Sequence, residues 1–159
     1  MADLVADFQV RRIVTGPGPA GRATVSADGP AAERAVTPEF AVVNLWSSPR
    51  LPADTGAGDG LVGDFTIEPP AGALKVMQIA FAPDARRHDP SPGGESPGMH
   101  RTQTVDVVTL LRGELHCVLD DGEVRMRPGD TLVQRGTPHA WVNKSDETAV
   151  AVVTILSAT

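Results

Sequence analysis

Short apolar or alternating stretches recur along the whole chain, and turn-forming residues separate them. In the second half, this pattern predicts strands at 74–81, 105–111, 114–119, 123–127, 131–134, 139–143 and 149–156. In the first half, it predicts strands at 8–14, 22–26 and 40–46. Because many short strands at a spacing of about 8–12 residues are typical of β-sandwiches and β-barrels, we predict an all-β fold.

The breaks between these strands carry residues that favour turns. Asp121-Gly122 lies between two apolar runs and predicts a β-hairpin. In the first half, 16–21 and 27–30 predict turns, because both are rich in glycine and proline. The longer stretches 47–72 and 83–98 show no strand pattern, and long loops of this kind often cover binding sites.

The length of 159 residues indicates one structural domain. Within it, we expect residues 1–72 to supply strands and loops that pack on a barrel formed by residues 73–159. The net charge of −6 comes without a basic stripe, so we expect no nucleic-acid partner. The chain shows no long apolar run and no charged-then-apolar leader, so we expect a cytoplasmic protein without a membrane span. A single cysteine, Cys117, excludes an intrachain disulfide.

Candidate chemistry is concentrated around two histidines. His100, Thr102 and Asp106 share one parity, so their side chains face the same side of a sheet if this segment is extended. His139 lies at the start of a later predicted strand. Imidazole and carboxylate groups together suit a divalent metal ion.

The first of these segments resembles a motif of the cupin superfamily. That motif runs from a glycine through His-x-His and a glutamate to a second glycine. Gly94, His100, Asp106 and Gly113 fall on its spacing, but Thr102 takes the place of the second histidine and the glutamate is replaced by aspartate.

The second segment resembles the other cupin motif, which runs from Pro-x-Gly through a histidine to an asparagine. Gly136, His139 and Asn143 match it, and Gln134 occupies the proline position. The turn at 128–130 that opens this motif is one residue closer than in the family pattern.

The resemblance implies a double-stranded β-helix, or jelly roll, that encloses a pocket, with extra N-terminal strands. It implies a divalent metal ion (Fe, Mn, Ni or Zn) held by His100, Asp106 and His139, although the altered motif also allows a pocket without metal. Asp106 is the candidate catalytic acid or base if it is not a ligand. Its alternative is a buried carboxylate bonded to backbone or to an arginine. We expect the substrate pocket to include Thr102, Gln134 and Trp141.

Two functions remain open on this basis. The first is a metal-dependent enzyme of the dioxygenase, decarboxylase, isomerase or lyase type that acts on a small oxygenated organic molecule. The second is a non-catalytic cupin that binds a small ligand at a degenerate or absent metal site. His116 supplies a further ligand only if it points inward, which parity does not decide. His88, in a proline- and glycine-rich loop, is expected to be solvated. We also expect a homodimer, because exposed strand edges favour pairing.

Overall fold

The computed structural model describes residues 5–61, 63–84 and 98–159. These residues form β-strands joined by turns, with a 3₁₀ turn at Pro19–Gly21. The strands are β1 (Arg11–Pro17), β2 (Ala23–Pro30), β3 (Arg34–Val36), β4 (Phe40–Ser48), β5 (Leu74–Phe81), β6 (Thr104–Arg112), β7 (Leu115–Leu119), β8 (Gly122–Met126), β9 (Thr131–Arg135), β10 (Ala140–Val142) and β11 (Ala149–Ser157).

The strands form antiparallel sheets. The largest has six strands in the order β3-β4-β5-β11-β6-β9, a second has the order β10-β7-β8, and β1 and β2 form a separate hairpin. The all-β jelly roll predicted from the sequence is confirmed. Strand β4 pairs with β5 from Phe40 opposite Phe81 to Ser48 opposite Leu74. Strands from residues 1–72 and from residues 73–159 therefore share one sheet.

The core lies between the two larger sheets. On β6, every second residue from Thr104 to Leu110 is buried, as expected when one face of a strand packs inward. Leu110, Leu115 and Met77 are fully buried and belong to one cluster of apolar side chains. Among the described residues, no helix is long and apolar enough to cross a membrane.

The sequence patterns and the structure differ most in the first half. The turn predicted at 27–30 is wrong, because these residues belong to β2 and pair with β1. Most residues of β2 are exposed, so burial imposes no alternation on its sequence. An ion pair between Arg11 and Asp28, 2.7 Å long, joins the two strands. The short β3 was not predicted, whereas the hairpin at Asp121-Gly122 is confirmed by the pairing of β7 with β8.

Asn143 ties the end of β5 to the loop that follows β10. Its Nδ2 donates to the backbone oxygens of Phe81 at 3.0 Å and Glu147 at 2.7 Å. Its Oδ1 accepts from the backbone nitrogen of Ser145 at 3.1 Å and from the Ser145 hydroxyl at 2.8 Å. Because the side chain is buried, its role in the second motif is to satisfy backbone groups.

The substitution Asn143→Asp tests this role. The aspartate keeps the acceptor oxygen but faces two carbonyl oxygens with a group that cannot donate when ionised. We expect the free energy of unfolding to fall by about 2 kcal/mol or more, as for other buried polar groups that lose their partners. Urea denaturation at pH 7 measures this loss. The matched control is Asp146→Asn at an exposed position of the same loop, which is expected to stay close to wild type. Equal stability of the two variants would contradict the role.

Candidate functional site

A backbone bridge brings the two motifs together. The backbone nitrogen of His100 donates to the oxygen of His139 at 2.9 Å, and the reverse bond has the same length. This pairing places the two imidazole centroids 4.3 Å apart, with the ring planes tilted by 52°. The two histidines of the separate motifs therefore lie side by side.

The turn between β9 and β10 is held against the segment that precedes β6. Gly136 has φ of +62°, and a Cβ at this position would lie 3.2 Å from the backbone oxygen of Thr102. Glycine avoids both the backbone strain and this close approach. Arg101 Nε donates to the Gly136 oxygen at 2.8 Å and fixes the same contact.

The histidine pair forms one end of a cavity of about 250 Å³ inside the barrel. Most of the wall is apolar and comes from strands of the six-stranded sheet: Phe40, Val42, Ile79, Phe81, Val108, Val153 and Ile155. The polar end is formed by His100, Thr102, Thr104, Asp106 and His139. Trp141 completes the wall and meets the ring of His139 edge-on, with centroids 5.8 Å apart.

Asp106 is a buried carboxyl group at this polar end. Its Oδ1 is shielded from solvent and has no hydrogen-bond partner within the described parts of the chain. Burial raises the pKa of Asp106, and the Thr104 hydroxyl and the two imidazoles oppose this shift. The Thr104 hydroxyl also bonds to that of Thr102 at 2.7 Å. Asp106 thus brings a buried carboxyl group to the polar end of the cavity, with one of its oxygens shielded from solvent.

The two imidazoles have different surroundings. His139 is 1% exposed, and its Nδ1 lies 2.5 Å from Gln134 Nε2 and 3.0 Å from the backbone oxygen of Thr137. Burial lowers the pKa of His139. His100 is exposed, and its Nδ1 donates to the backbone oxygen of Gly98 at 2.7 Å. At neutral pH, the buried imidazole is therefore uncharged.

Part of the long loop predicted at 47–72 reaches the cavity. Ile67 and Glu68 line it, and the neighbouring Thr66 holds this segment in place. The Thr66 backbone oxygen accepts from Lys75 Nζ at 2.6 Å and from Asn44 Nδ2 at 3.2 Å. Sequence reasoning missed this anchor, although a lysine within the apolar strand β5 was a signal for it. Burial lowers the pKa of Lys75, and the charge of Glu33 opposes this shift.

The remaining candidate residues lie elsewhere. Gln134 is buried behind the ring of His139. It was expected in the substrate pocket, but it is not among the residues that line the cavity. His116 bonds through Nε2 to Glu114 Oε1 at 2.9 Å and also lies off that wall. Cys117 is buried, and burial raises the pKa of its thiol. His88 and Gly94 lie outside the described residues.

The three side chains predicted as metal ligands meet but do not fit a metal ion. Across residues 5–61, 63–84 and 98–159, no group of three or more His, Cys, Asp or Glu side chains is arranged to hold one. Aspartate is one methylene shorter than the glutamate of the motif, which shortens its reach by about 1.5 Å. The side-chain positions thus give the predicted metal no support.

Comparison with known proteins agrees with the motifs. Residues 88–155 match the family model of the Cupin domain. The cupin-domain-containing oxidoreductase fogC of Aspergillus ruber is 34% identical over 138 residues, which cover 85% of this chain and 64% of that protein. The phomopsin biosynthesis cluster protein C′ of Diaporthe leptostromiformis is 53% identical over 82 residues, covering 51% of this chain and 40% of that protein. The chain thus spans less than two thirds of the length of both relatives.

A solved structure shows the same fold. The Cnp3 cupin domain of Schizosaccharomyces pombe superposes with a TM-score of 0.52 at 11% identity, over 94% of this chain and 89% of that chain. At this identity, the likeness concerns architecture alone. Together with the family match and the paired motifs that meet at the cavity, it leads to one conclusion: the chain belongs to the cupin superfamily.

Proposed function

We propose that this chain acts as an enzyme on a small, largely apolar organic molecule that carries one oxygenated group. The observation that supports this most is the cavity itself, in which apolar walls end at two imidazoles and a buried carboxyl group. Pockets for small molecules commonly combine apolar walls with a few convergent polar groups. The oxygenated group of the ligand would lie at the polar end.

The cavity volume limits the size of the ligand. An apolar cavity of about 150 Å³ is large enough to bind benzene. The cavity described here, at about 250 Å³, therefore suits a molecule of one or two rings. Ile67 and Glu68 contribute to its wall from the segment that precedes β5.

The polar end holds groups that suit proton transfer. Imidazole is the most common general acid or base in enzymes, so His100 and His139 are placed to exchange protons or hydrogen bonds with a bound molecule. Asp106 adds a carboxyl group beside them. Of the four reaction types expected from the sequence, an isomerisation by proton transfer needs only imidazole and carboxyl groups. We therefore propose this type.

The relatives support an enzymatic role in biosynthesis. One is named an oxidoreductase, and another is named for a biosynthesis cluster. We propose for this chain the same general role, that of an enzyme acting on a small biosynthetic molecule. The reactions named for those proteins are not assigned to it. Homodimer formation stays a prediction.

Loss of either imidazole should slow proton exchange. A bicyclic ketone, β-tetralone, serves as the probe, because its carbonyl makes the neighbouring C–H bonds acidic and its size suits the cavity. In D₂O, the wild-type protein should accelerate exchange of these protons, followed by NMR. We expect His100→Ala and His139→Ala to lower the rate by about 100-fold, the lower range for general acid–base groups.

The control for this experiment is His116→Gln, which changes a histidine that does not line the cavity. This variant should keep the wild-type rate. A wild-type rate equal to that of the buffer, together with ligand-induced stabilisation by β-tetralone, would favour the non-catalytic binding function. Equal rates in all four proteins would contradict the proposal.

The charge state of Asp106 gives a pH-dependent prediction. Because burial raises the pKa of Asp106, the folded protein favours the protonated carboxyl. The associated stability is fully present below the unfolded-state pKa of about 3.9 and is lost as the pH rises through the folded-state pKa. The variant Asp106→Asn has no carboxyl group to ionise, so it does not lose stability in this way as the pH rises. We expect its free energy of unfolding to increase relative to wild type between pH 4 and the folded-state pKa.

Urea denaturation across pH 3.5 to 8 measures this difference. Asp120→Asn, at an exposed position after β7, is the matched control and should follow the wild-type pH profile. A constant difference between Asp106→Asn and wild type across this range would show that the carboxyl is not affected by its burial.

A further inference from the structure

The side-chain amide of Gln134 can take only one orientation. Its Oε1 accepts from the backbone nitrogen of Arg135 at 2.8 Å and from the Thr137 hydroxyl at 3.0 Å. Its Nε2 donates to the backbone oxygen of Thr137 at 2.7 Å. A backbone N–H only donates and a carbonyl oxygen only accepts, so a flipped amide would face like groups on both sides. The neighbours therefore place the NH₂ group toward His139.

This orientation determines which nitrogen of His139 carries the proton. One amide hydrogen of Gln134 is used by the Thr137 oxygen, and the other faces His139 Nδ1 across 2.5 Å. If Nδ1 carried a hydrogen for the Thr137 oxygen, two N–H groups would oppose each other at this short distance. Nδ1 is therefore the acceptor. A neutral imidazole has one N–H, so the proton of His139 lies on Nε2.

His100 has the opposite arrangement. Its Nδ1 lies 2.7 Å from the Gly98 oxygen, which only accepts, so Nδ1 carries the hydrogen and Nε2 has the lone pair. Within the described residues, neither Nε2 has a hydrogen-bond partner, and both rings line the cavity. The rings are 4.3 Å apart. The polar end thus offers a lone pair on one ring and an N–H on the other.

We propose that Gln134 is a positioning residue that fixes His139 as a hydrogen-bond donor, so that the two histidines act as a base and a donor toward an enolisable carbonyl compound. This inference rests on the proposed function of the cavity. It also accounts for the poor fit to a metal ion, since a metal ligand needs a nitrogen with a free lone pair and His139 has its proton on Nε2.

The corresponding reaction step balances without an added oxidant. His100 Nε2 takes a proton from the carbon beside the carbonyl, and the electrons of that C–H bond form a carbon–carbon double bond. The carbonyl π electrons move to the oxygen, which accepts the hydrogen bond from His139 Nε2–H. The His100 imidazolium then returns its proton to a carbon of the enolate. When the substrate carries a carbon–carbon double bond next to the carbon that loses the proton, the enolate is conjugated and can take the proton at the far carbon of that double bond, and the product is then an isomer with the double bond moved into conjugation with the carbonyl.

Two substitutions of Gln134 test the positioning role. Gln134→Leu removes the amide donor and leaves His139 Nδ1 free to donate to the Thr137 oxygen, 3.0 Å away. Gln134→Glu keeps the shape and the Oε1 acceptor but places a carboxylate oxygen where the amide donor was. Both should move the proton of His139 from Nε2 to Nδ1. The Glu variant keeps the test valid if the Leu variant does not fold.

Long-range ¹H–¹⁵N NMR spectra of protein labelled at histidine nitrogens show the tautomer directly at pH 7.5. His100→Gln and His139→Gln assign the signals. We expect the Nε2–H form for His139 in wild type and the Nδ1–H form in the folded Gln134 variants. Gln103→Leu, at an exposed glutamine, is the matched control and should give the wild-type spectrum.

Two further measurements separate positioning from simple structural support. The exchange rate with β-tetralone should fall at least tenfold in both Gln134 variants. Zn²⁺ affinity, measured by calorimetry, should rise at least tenfold, the lower range for changes behind a metal-ligating histidine. A variant whose site is merely destabilised would lose both β-tetralone exchange and Zn²⁺ affinity.

The outcomes distinguish this inference from the proposed function. An Nδ1–H form of His139 in wild type would overturn the role of Gln134, even if β-tetralone exchange were observed. Unchanged tautomers in both variants would overturn it as well. The expected tautomers without exchange in wild type would support the role of Gln134 in fixing His139 and contradict the proton-transfer function alone.

Discussion

The site depends on the reciprocal backbone hydrogen bonds between His100 and His139. Side chains opposite each other in an antiparallel pair project to the same face, so this single bridge sets both imidazoles on the cavity side. Neither histidine lies in one of the strands β1–β11: β10 begins directly after His139, at Ala140, whereas β6 begins four residues after His100, at Thr104. The bridge therefore pairs backbone groups outside the main ladders. The packed sheets behind it keep this pairing in place.

The apolar walls of the cavity control the chemistry at its polar end. A charged group is less stable when it is removed from water, so burial favours the neutral forms of both Asp106 and His139. His100 is exposed, and its ring lies 4.3 Å from that of His139. The two rings therefore differ in their depth within the barrel.

The sequence predicted the second half of the fold well, for a clear physical reason. Strands such as β5 and β6 bury one face, so apolar residues alternate or cluster and the turns between them are short. Strand β5 was predicted at its observed bounds. The β1–β2 hairpin is mostly exposed, and the Gly-Pro pair at its end was interpreted as a turn because nothing in the exposed pattern opposed that interpretation.

The candidate site was predictable only in part. The spacing of the motifs predicted that His100, Asp106 and His139 lie together. This was possible because the number of residues between two turns determines which strand residues lie opposite each other. The role of Gln134 depends on the positions of Arg135 and Thr137 around its amide, which no spacing rule contains. The one available signal was a glutamine at the proline position of the second motif. A glutamine there adds a donor and an acceptor where proline has neither on its side chain.

The three residue replacements in the family motifs act on the same small region. Thr102 in place of a histidine removes one imidazole, and its hydroxyl pairs with Thr104 instead. Asp106 in place of a glutamate withdraws a carboxylate toward the barrel wall. Gln134 then supplies the hydrogen bond that assigns a proton to the cavity side of His139. Each change weakens a metal site, yet both rings still line the cavity. The same fold can thus support a hydrogen-bonding pair of histidines where its relatives' motif specifies metal ligands.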